Sequence, residues 1–211
     1  MTFSIIGFDP ELEMIGIAAA SKWTGLGGCL PYFRHSVGLV AVQNCSYAQT
    51  AYTILDAMEA GKSPQDAIKI AIEQDSKPEI RQILACNLRG EMTSYCGEKC
   101  SAPYHENKGR NCIAAGNTLA TKDVVTQMTN RFEASRERSL TKRLLDAIEA
   151  GQNAGGDARG QEAAVVKAYS IHYPNQRFYP IDLRVDSHQT PLTELRRLVD
   201  AFDAIERRVH F

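Results

Sequence analysis

The sequence predicts an α/β (α+β) protein built as a four-layer α/β/β/α sandwich, with two antiparallel sheets face to face and helices on both outer faces. Three observations predict it. Apolar runs of strand length follow one another across short turns, which is how antiparallel neighbours are joined. Segments of helical period come in pairs between those runs. The first apolar run starts directly after Met1, so the N-terminus belongs to the core, where termini are otherwise slack. The resulting order is four strands, two helices, three strands, two helices, two strands and one helix.

Each element has its own signature. Residues 2–8 (TFSIIGF) and 14–21 (MIGIAAAS) are separated by Asp9-Pro10-Glu11, which is turn chemistry and predicts a hairpin. Gly16, Ala18, Ala19 and Ala20 crowd the second run, as in a strand buried on both faces. Residues 24–28 (TGLGG) predict a flexible loop, and 30–33 with 37–43 a second hairpin around His35-Ser36. Tyr47, Ala51, Ile54, Leu55 and Met58 recur at helical spacing up to Gly61, a C-terminal glycine. Ser63-Pro64 then provides an N-cap and a first-turn proline for a helix carrying Ala67, Ile68, Ala71 and Ile72 inward and ending at Lys77-Pro78. Strands follow at 81–88 and 91–97 across Arg89-Gly90, then a polar loop at 98–110 and a short strand at 112–115. Gly116-Asn117 leads into a helix with Val124, Val125, Met128 and Phe132 on one face. A further helix carries Leu140, Leu144, Leu145 and Ile148. Residues 151–160 form a glycine-rich loop. Strands at 163–171 and 177–184 turn at Pro174-Asn175, and a last helix from Thr190-Pro191 buries Leu195, Leu198, Val199, Phe202 and Ile205.

A length of 211 residues fits one domain spanning 1–211, and 44% apolar residues are enough for a large core. The net charge of -1 gives no electrostatic case for nucleic acid or an anionic membrane as a partner. No apolar run approaches the roughly 20 residues of a membrane helix, and no secretory signal precedes the first strand. The expected location is cytoplasmic, where six cysteines are free thiols. Cys96, Cys100, His105 and Cys112 stand at a spacing that departs from zinc signatures. Phosphate-binding loops, dinucleotide fingerprints and nucleophile elbows are missing from the sequence. No metal and no cofactor are expected.

The terminal residue carries the sharpest chemistry. An N-terminal threonine joins a nucleophile to its base, because Oγ attacks and the same residue's α-amine takes the proton. An α-amine titrates at roughly 7.7–8.0, near working pH, where a general base is effective. Thr2 supplies this arrangement once Met1 is removed, and threonine is small enough to permit removal. The strand–Gly–Asn–helix element at 112–118 offers the backbone N–H groups of Gly116 and Asn117 at the tip of the sandwich as an oxyanion site. Gln43 and Asn44 end a buried strand, placed either to hydrogen-bond a ligand or to satisfy nearby backbone. Asp157 and Arg159 lie in the glycine-rich loop, as ligand contacts or as a local ion pair that orders it.

The stretches TFSIIGFDPELEMIGIAAASK, PYFRHSVGLVAVQN, AAGNTLA, LLDAIEAGQNAGGDARG and DLRVDSHQTPLTELRRL resemble the domain of unknown function 1028 family of Ntn-hydrolase-like proteins. The resemblance covers nearly all of residues 2–200. It implies the Ntn-hydrolase-like sandwich and a likeness to the proteasome β-subunit. It marks Thr2 as the nucleophile and puts the AAGN stretch at the glycine-rich turn near the oxyanion site. Arg34 falls where related N-terminal-threonine hydrolases bring a lysine to the nucleophile. A guanidinium stays protonated, so its role there is to stabilise charge or depress a neighbour's pKa. Lys22, the nearest lysine in sequence, is the alternative cation. Ser21 falls about where the proteasome has an aspartate, and it joins Gln43, Asn44, Asp157 and Arg159 as a candidate for substrate binding. The function implied is an N-terminal nucleophile amidohydrolase acting on a small-molecule or peptide-like substrate, with a homodimer as the default assembly. The alternative is a non-catalytic protein of the same fold that binds a small peptide-like or cell-wall-derived ligand in the same cleft.

Overall fold

Two antiparallel sheets form the middle of the computed structural model, which describes residues 2–172 and 181–209, with side chains through residue 204. Six strands make the first sheet: β1 (Thr2–Asp9), β2 (Met14–Ser21), β7 (His105–Gly109), β8 (Cys112–Gly116), β9 (Ala163–Ser170) and β10 (Ile181–Val185). Four make the second: β3 (Tyr32–Arg34), β4 (Gly38–Asn44), β5 (Arg81–Asn87) and β6 (Met92–Cys96). The orders are β10-β9-β2-β1-β8-β7 and β3-β4-β5-β6. The helices are α1 (Ala48–Glu59), α2 (Pro64–Gln74), α3 (Asp123–Ala134), α4 (Leu140–Asn153) and α5 (Pro191–Val209).

Alternation along the strands sorts the apolar residues into three layers. On β1, Phe3 and Ile5 point outward and pack with residues of α3, α4 and α5 such as Phe132, Leu144 and Leu195. Ile6 and Phe8 point inward and meet Leu39, Leu84 and Ile113 between the sheets. The outer face of the second sheet, with Val40, Val42 and Ile83, is covered by Ile54, Leu55 and Ile68 of α1 and α2. Gly7 and Gly16 stand opposite each other on β1 and β2. Cβ atoms there would come within 2.5 Å of Phe132 and 2.8 Å of Leu144, so this bare pair is what lets α3 and α4 settle onto the sheet.

The predicted four-layer architecture is the observed one, and the differences are local. The segment read as a polar loop at 98–110 contains β7, whose sequence HENKG lacks any apolar residue. It pairs with β8 alone, at the sheet edge, where backbone hydrogen bonds hold a strand that buries little and leaves no hydrophobic pattern. Helix α4 runs through Gly151 to Asn153, into the span read as loop; a Cβ at Gly151 would meet Met128 at 2.6 Å. The turn at Pro174-Asn175, the start of the strand read at 177–184, and the Ile205 side chain lie outside the described residues.

A buried ion pair ties the second sheet to its helices. Arg81 Nε lies 2.8 Å from Asp75 Oδ2, and both side chains are buried. Asp75 also accepts from Thr50 of α1, while Arg81 Nη1 donates to the carbonyl of Cys45 at 2.9 Å. Burial alone would raise the Asp75 pKa, but hydrogen bonds from Arg81, Thr50 and the Lys77 N–H outweigh it and hold the carboxyl at about 2. The folded pKa therefore lies below the ordinary value of roughly 3.9. The stabilisation, about 2 kcal/mol, is whole above about pH 4 and is lost as pH falls toward 2. Urea unfolding between pH 5 and 2 should show that loss. Asp75→Asn should remove about 3 kcal/mol at neutral pH by stranding the buried guanidinium, and should flatten the acid limb.

Candidate functional site

The layer between the sheets changes character along its length. Thr2 and Ser4 share the inward face of β1 with Ile6 and Phe8, and they occupy its first positions. Ser21 stands opposite Thr2 on β2, and Gln43 on β4 stands opposite Gln82 on β5. Asn117 follows β8. All six of these side chains are buried, so each must find its partners among the others or on the backbone and side chains packed around them. Ser4 Oγ donates to Gln43 Oε1 at 2.7 Å, and Gln43 Nε2 donates to Gln82 Oε1 at 2.9 Å. The same Gln82 oxygen accepts from Asn117 Nδ2 at 2.9 Å. Gln82 Nε2 donates to the Gly116 carbonyl at 3.0 Å and to Cys96 Sγ at 3.1 Å. Burial pushes the Cys96 thiol up to about 12, so it stays neutral in this contact.

The network ends on Thr2. Asn117 Oδ1 accepts from the Thr2 nitrogen at 3.2 Å, and the Thr2 carbonyl accepts from the Asn117 N–H at 3.2 Å. On the other side, Thr2 Oγ1 donates to Ser21 Oγ at 3.3 Å, and Ser21 Oγ also accepts from the Trp23 N–H at 3.0 Å. The hydroxyl of Thr2 is thus fixed by a side chain of β2 and its nitrogen by the side chain that follows β8. Thr2 also lines a cavity of about 370 Å³, within the size range of small-ligand sites. Trp23, Leu26, Cys29 and Leu30 form part of its lining, and Gln43 with the segment 44–46 another part. Burial raises the Cys29 thiol above its ordinary value, which favours the neutral thiol over the thiolate. The segment 44–46 runs into α1, where Tyr47 supplies no side-chain cap to the first-turn N–H groups. An uncapped helix start favours negative charge.

Of the residues singled out from sequence, Thr2, Ser21, Gln43 and Asn117 come together here. Asn117 holds a different place from the oxyanion donor expected of it: its N–H is given to the Thr2 carbonyl and its amide group to Gln82, so it positions Thr2. Gly116 is a β8 residue whose Cβ would approach Leu119 at 2.6 Å and Phe3 at 2.9 Å, which explains the glycine by packing. Asn44 lines the cavity, but its side chain bonds Ile80 O at 2.7 Å and the Ser101 N–H at 3.0 Å. Asp157 and Arg159 form the local pair, 2.9 Å apart, and Asp157 bridges to Leu119 in the turn after Asn117. Arg34 binds Asp56 and Glu59 of α1 at 2.6 and 2.8 Å, and Lys22 faces Glu162 at 3.7 Å. Neither cation is among the described residues lining the cavity. Sequence reading missed Ser4, Gln82, Trp23, Cys45 and Ser46. Gln82 did leave a signal, as an amide in phase with Leu84 and Cys86 on a strand buried throughout.

The model of the family described as "Family of unknown function (DUF1028)" matches residues 2–195, and the chain belongs to that family. A crystal structure of a protein of this family from Silicibacter pomeroyi is 30% identical, with a TM-score of 0.86 over 95% of this chain and 85% of that one. Eukaryotic HslV from Trypanosoma brucei is 11% identical, with a TM-score of 0.52 over 79% of this chain and 98% of that one. Anbu (ancestral beta-subunit) from Yersinia bercovieri is 8% identical, with a TM-score of 0.46 over 99% and 97%. The HslV likeness speaks for the fold alone, which is Ntn-hydrolase-like. No curated protein matches the sequence.

Gln82→Leu keeps the volume but strands the Asn117 amide, takes the side-chain donor from the Gly116 carbonyl and leaves Gln43 Nε2 only the Ala115 carbonyl, 3.2 Å away. It should cost about 3 kcal/mol in urea unfolding; a loss under about 1 kcal/mol contradicts the network's role.

Proposed function

We propose that this DUF1028 protein is an N-terminal nucleophile amidohydrolase, with Thr2 as nucleophile after removal of Met1 and a small amide or peptide-like molecule as substrate. One observation carries the reading: the Thr2 hydroxyl and nitrogen are both held by buried side chains on the floor of a ligand-sized cleft. Removal of Met1 turns that nitrogen into an α-amine. With Asn117 Oδ1 accepting one of its N–H groups, the amine lone pair is oriented by a fixed partner. Oγ1 attacks the substrate carbonyl carbon and its proton passes to the α-amine. The ammonium then protonates the leaving amine as the carbon–nitrogen bond breaks. Water, with its proton taken by the same amine, hydrolyses the threonyl ester. Charge on the carbonyl oxygen would be met by backbone N–H groups of the segment leading into α1. Lys22 and Arg34 are engaged by carboxylates elsewhere, so the amine shuttles protons without a second cation.

Intact-mass measurement of native protein should show a chain starting at Thr2. Thr2→Ala should lower amide turnover by about 10³-fold or more, while Thr2→Ser keeps part of it. A binding protein of the same fold would instead keep its ligand in Thr2→Ala and show no turnover in either form. Because the base must be neutral, the rate should rise with pH through roughly 7–8. A pH profile flat across that range would argue against the α-amine as base. Homodimeric assembly and a cytoplasmic location complete the proposal; among the described residues, no helix is long and apolar enough to cross a membrane.

A further inference from the structure

The cleft before Thr2 has no charged side chain among the described residues that line it, although 23% of the chain is charged. The charges behind its walls are paired off. Lys22, next to Trp23, faces Glu162. Lys167 and Arg184 both reach the Gly27 carbonyl behind Leu26 and share Asp182. Arg81, which holds the Cys45 carbonyl, is bound to Asp75. A charged ligand entering here would give up hydration and meet no charged side chain among the described residues of the lining, while the N–H groups leading into α1 supply only the partial charge that a carbonyl oxygen can use.

Trp23 is 70% exposed and is the single tryptophan of the chain. Its N–H and the Thr2 hydroxyl both bond Ser21 Oγ, so the indole-bearing backbone and the nucleophile are registered by one serine. Leu26 and Leu30 add apolar lining. Trp23 lines the cleft together with these leucines, and an aromatic wall of this kind is what ligand pockets offer to apolar groups. We propose that the cleft selects an uncharged amide whose acyl side carries a planar apolar group that covers Trp23. This rests on the amidohydrolase reading for the position of the amide, and on the lining alone for neutrality and the planar group.

Benzamide, benzoate and benzamidinium share one shape and differ in charge. Trp23 is the only indole, so its fluorescence reports occupancy without turnover. Titrations belong at about pH 9, above the ordinary α-amine range of roughly 7.7–8.0, so that a free Thr2 amine adds no charge. Benzamide should quench saturably, with Kd about tenfold or more below either charged probe. Ser46→Asp, an exposed change in the lining, should tighten benzamidinium about threefold or more. Equal or tighter binding of benzoate or benzamidinium by the unaltered protein, or no saturable quenching by benzamide, overturns the proposal. Benzamide binding with no amide cleaved by the Met1-free protein removes the hydrolase reading and keeps the neutral planar ligand. Cleavage that favours charged acyl groups does the reverse.

Discussion

Polar side chains enclosed between two sheets must bond one another or the backbone around them, and the arrangement at Thr2 depends on that constraint. Gln82 makes the case most clearly. It is fully buried, and its oxygen and nitrogen join β4, β6, β8 and Asn117 through four contacts. A neutral hydrogen bond adds only about 1 kcal/mol net, whereas a stranded buried amide costs as much or more. The network therefore acts chiefly by penalising any arrangement that leaves a member unpaired. Thr2 inherits its position from that penalty, because the Asn117 side chain that fixes its nitrogen is itself fixed by Gln82.

The same layer explains where the cleft lies. Ile6, Phe8, Leu39 and Leu84 fill the far part of the inter-sheet space and pack it shut. The end marked by Thr2, Ser21 and Gln43 gives way to a cavity walled by Trp23 and Leu26 on one stretch of chain and by the approach to α1 on another. Stability and the shape of the cleft are linked here: Arg81 and Asp75 hold the α1–α2 pair to β5, and Arg81 also anchors the Cys45 carbonyl. Loops positioned by such rigid supports are where binding surfaces usually form.

Much of the fold was legible because its strands are apolar, short and separated by turn residues, and because α1 and α2 carry their inward residues at helical period. β7 was illegible, since HENKG is held by backbone pairing at an edge and needs no apolar residue. Thr2 could be read from its place at the head of a strand. The partner network could not, because contacts such as that between residues 82 and 117 come from the stacking of sheets, which no local spacing encodes. Asn117 was legible as a residue brought near Thr2, but its hydrogen bonds were not. Its N–H falls at the tip of the sandwich by sequence, and only the three-dimensional register shows that Thr2 O consumes it. Arg34 followed from likeness to related hydrolases, and Asp56 and Glu59 on α1 claim it.

Acylation of Thr2 tests the central claim most directly. A neutral β-lactone opens on attack by a hydroxyl and leaves its whole mass as an ester, with no leaving group. Protein lacking Met1 should gain one such mass, mapped by peptide sequencing to Thr2, and the adduct should be absent from Thr2→Ala. A folded, Met1-free protein that stays unmodified at Thr2, or that carries the ester only on another residue, contradicts the account.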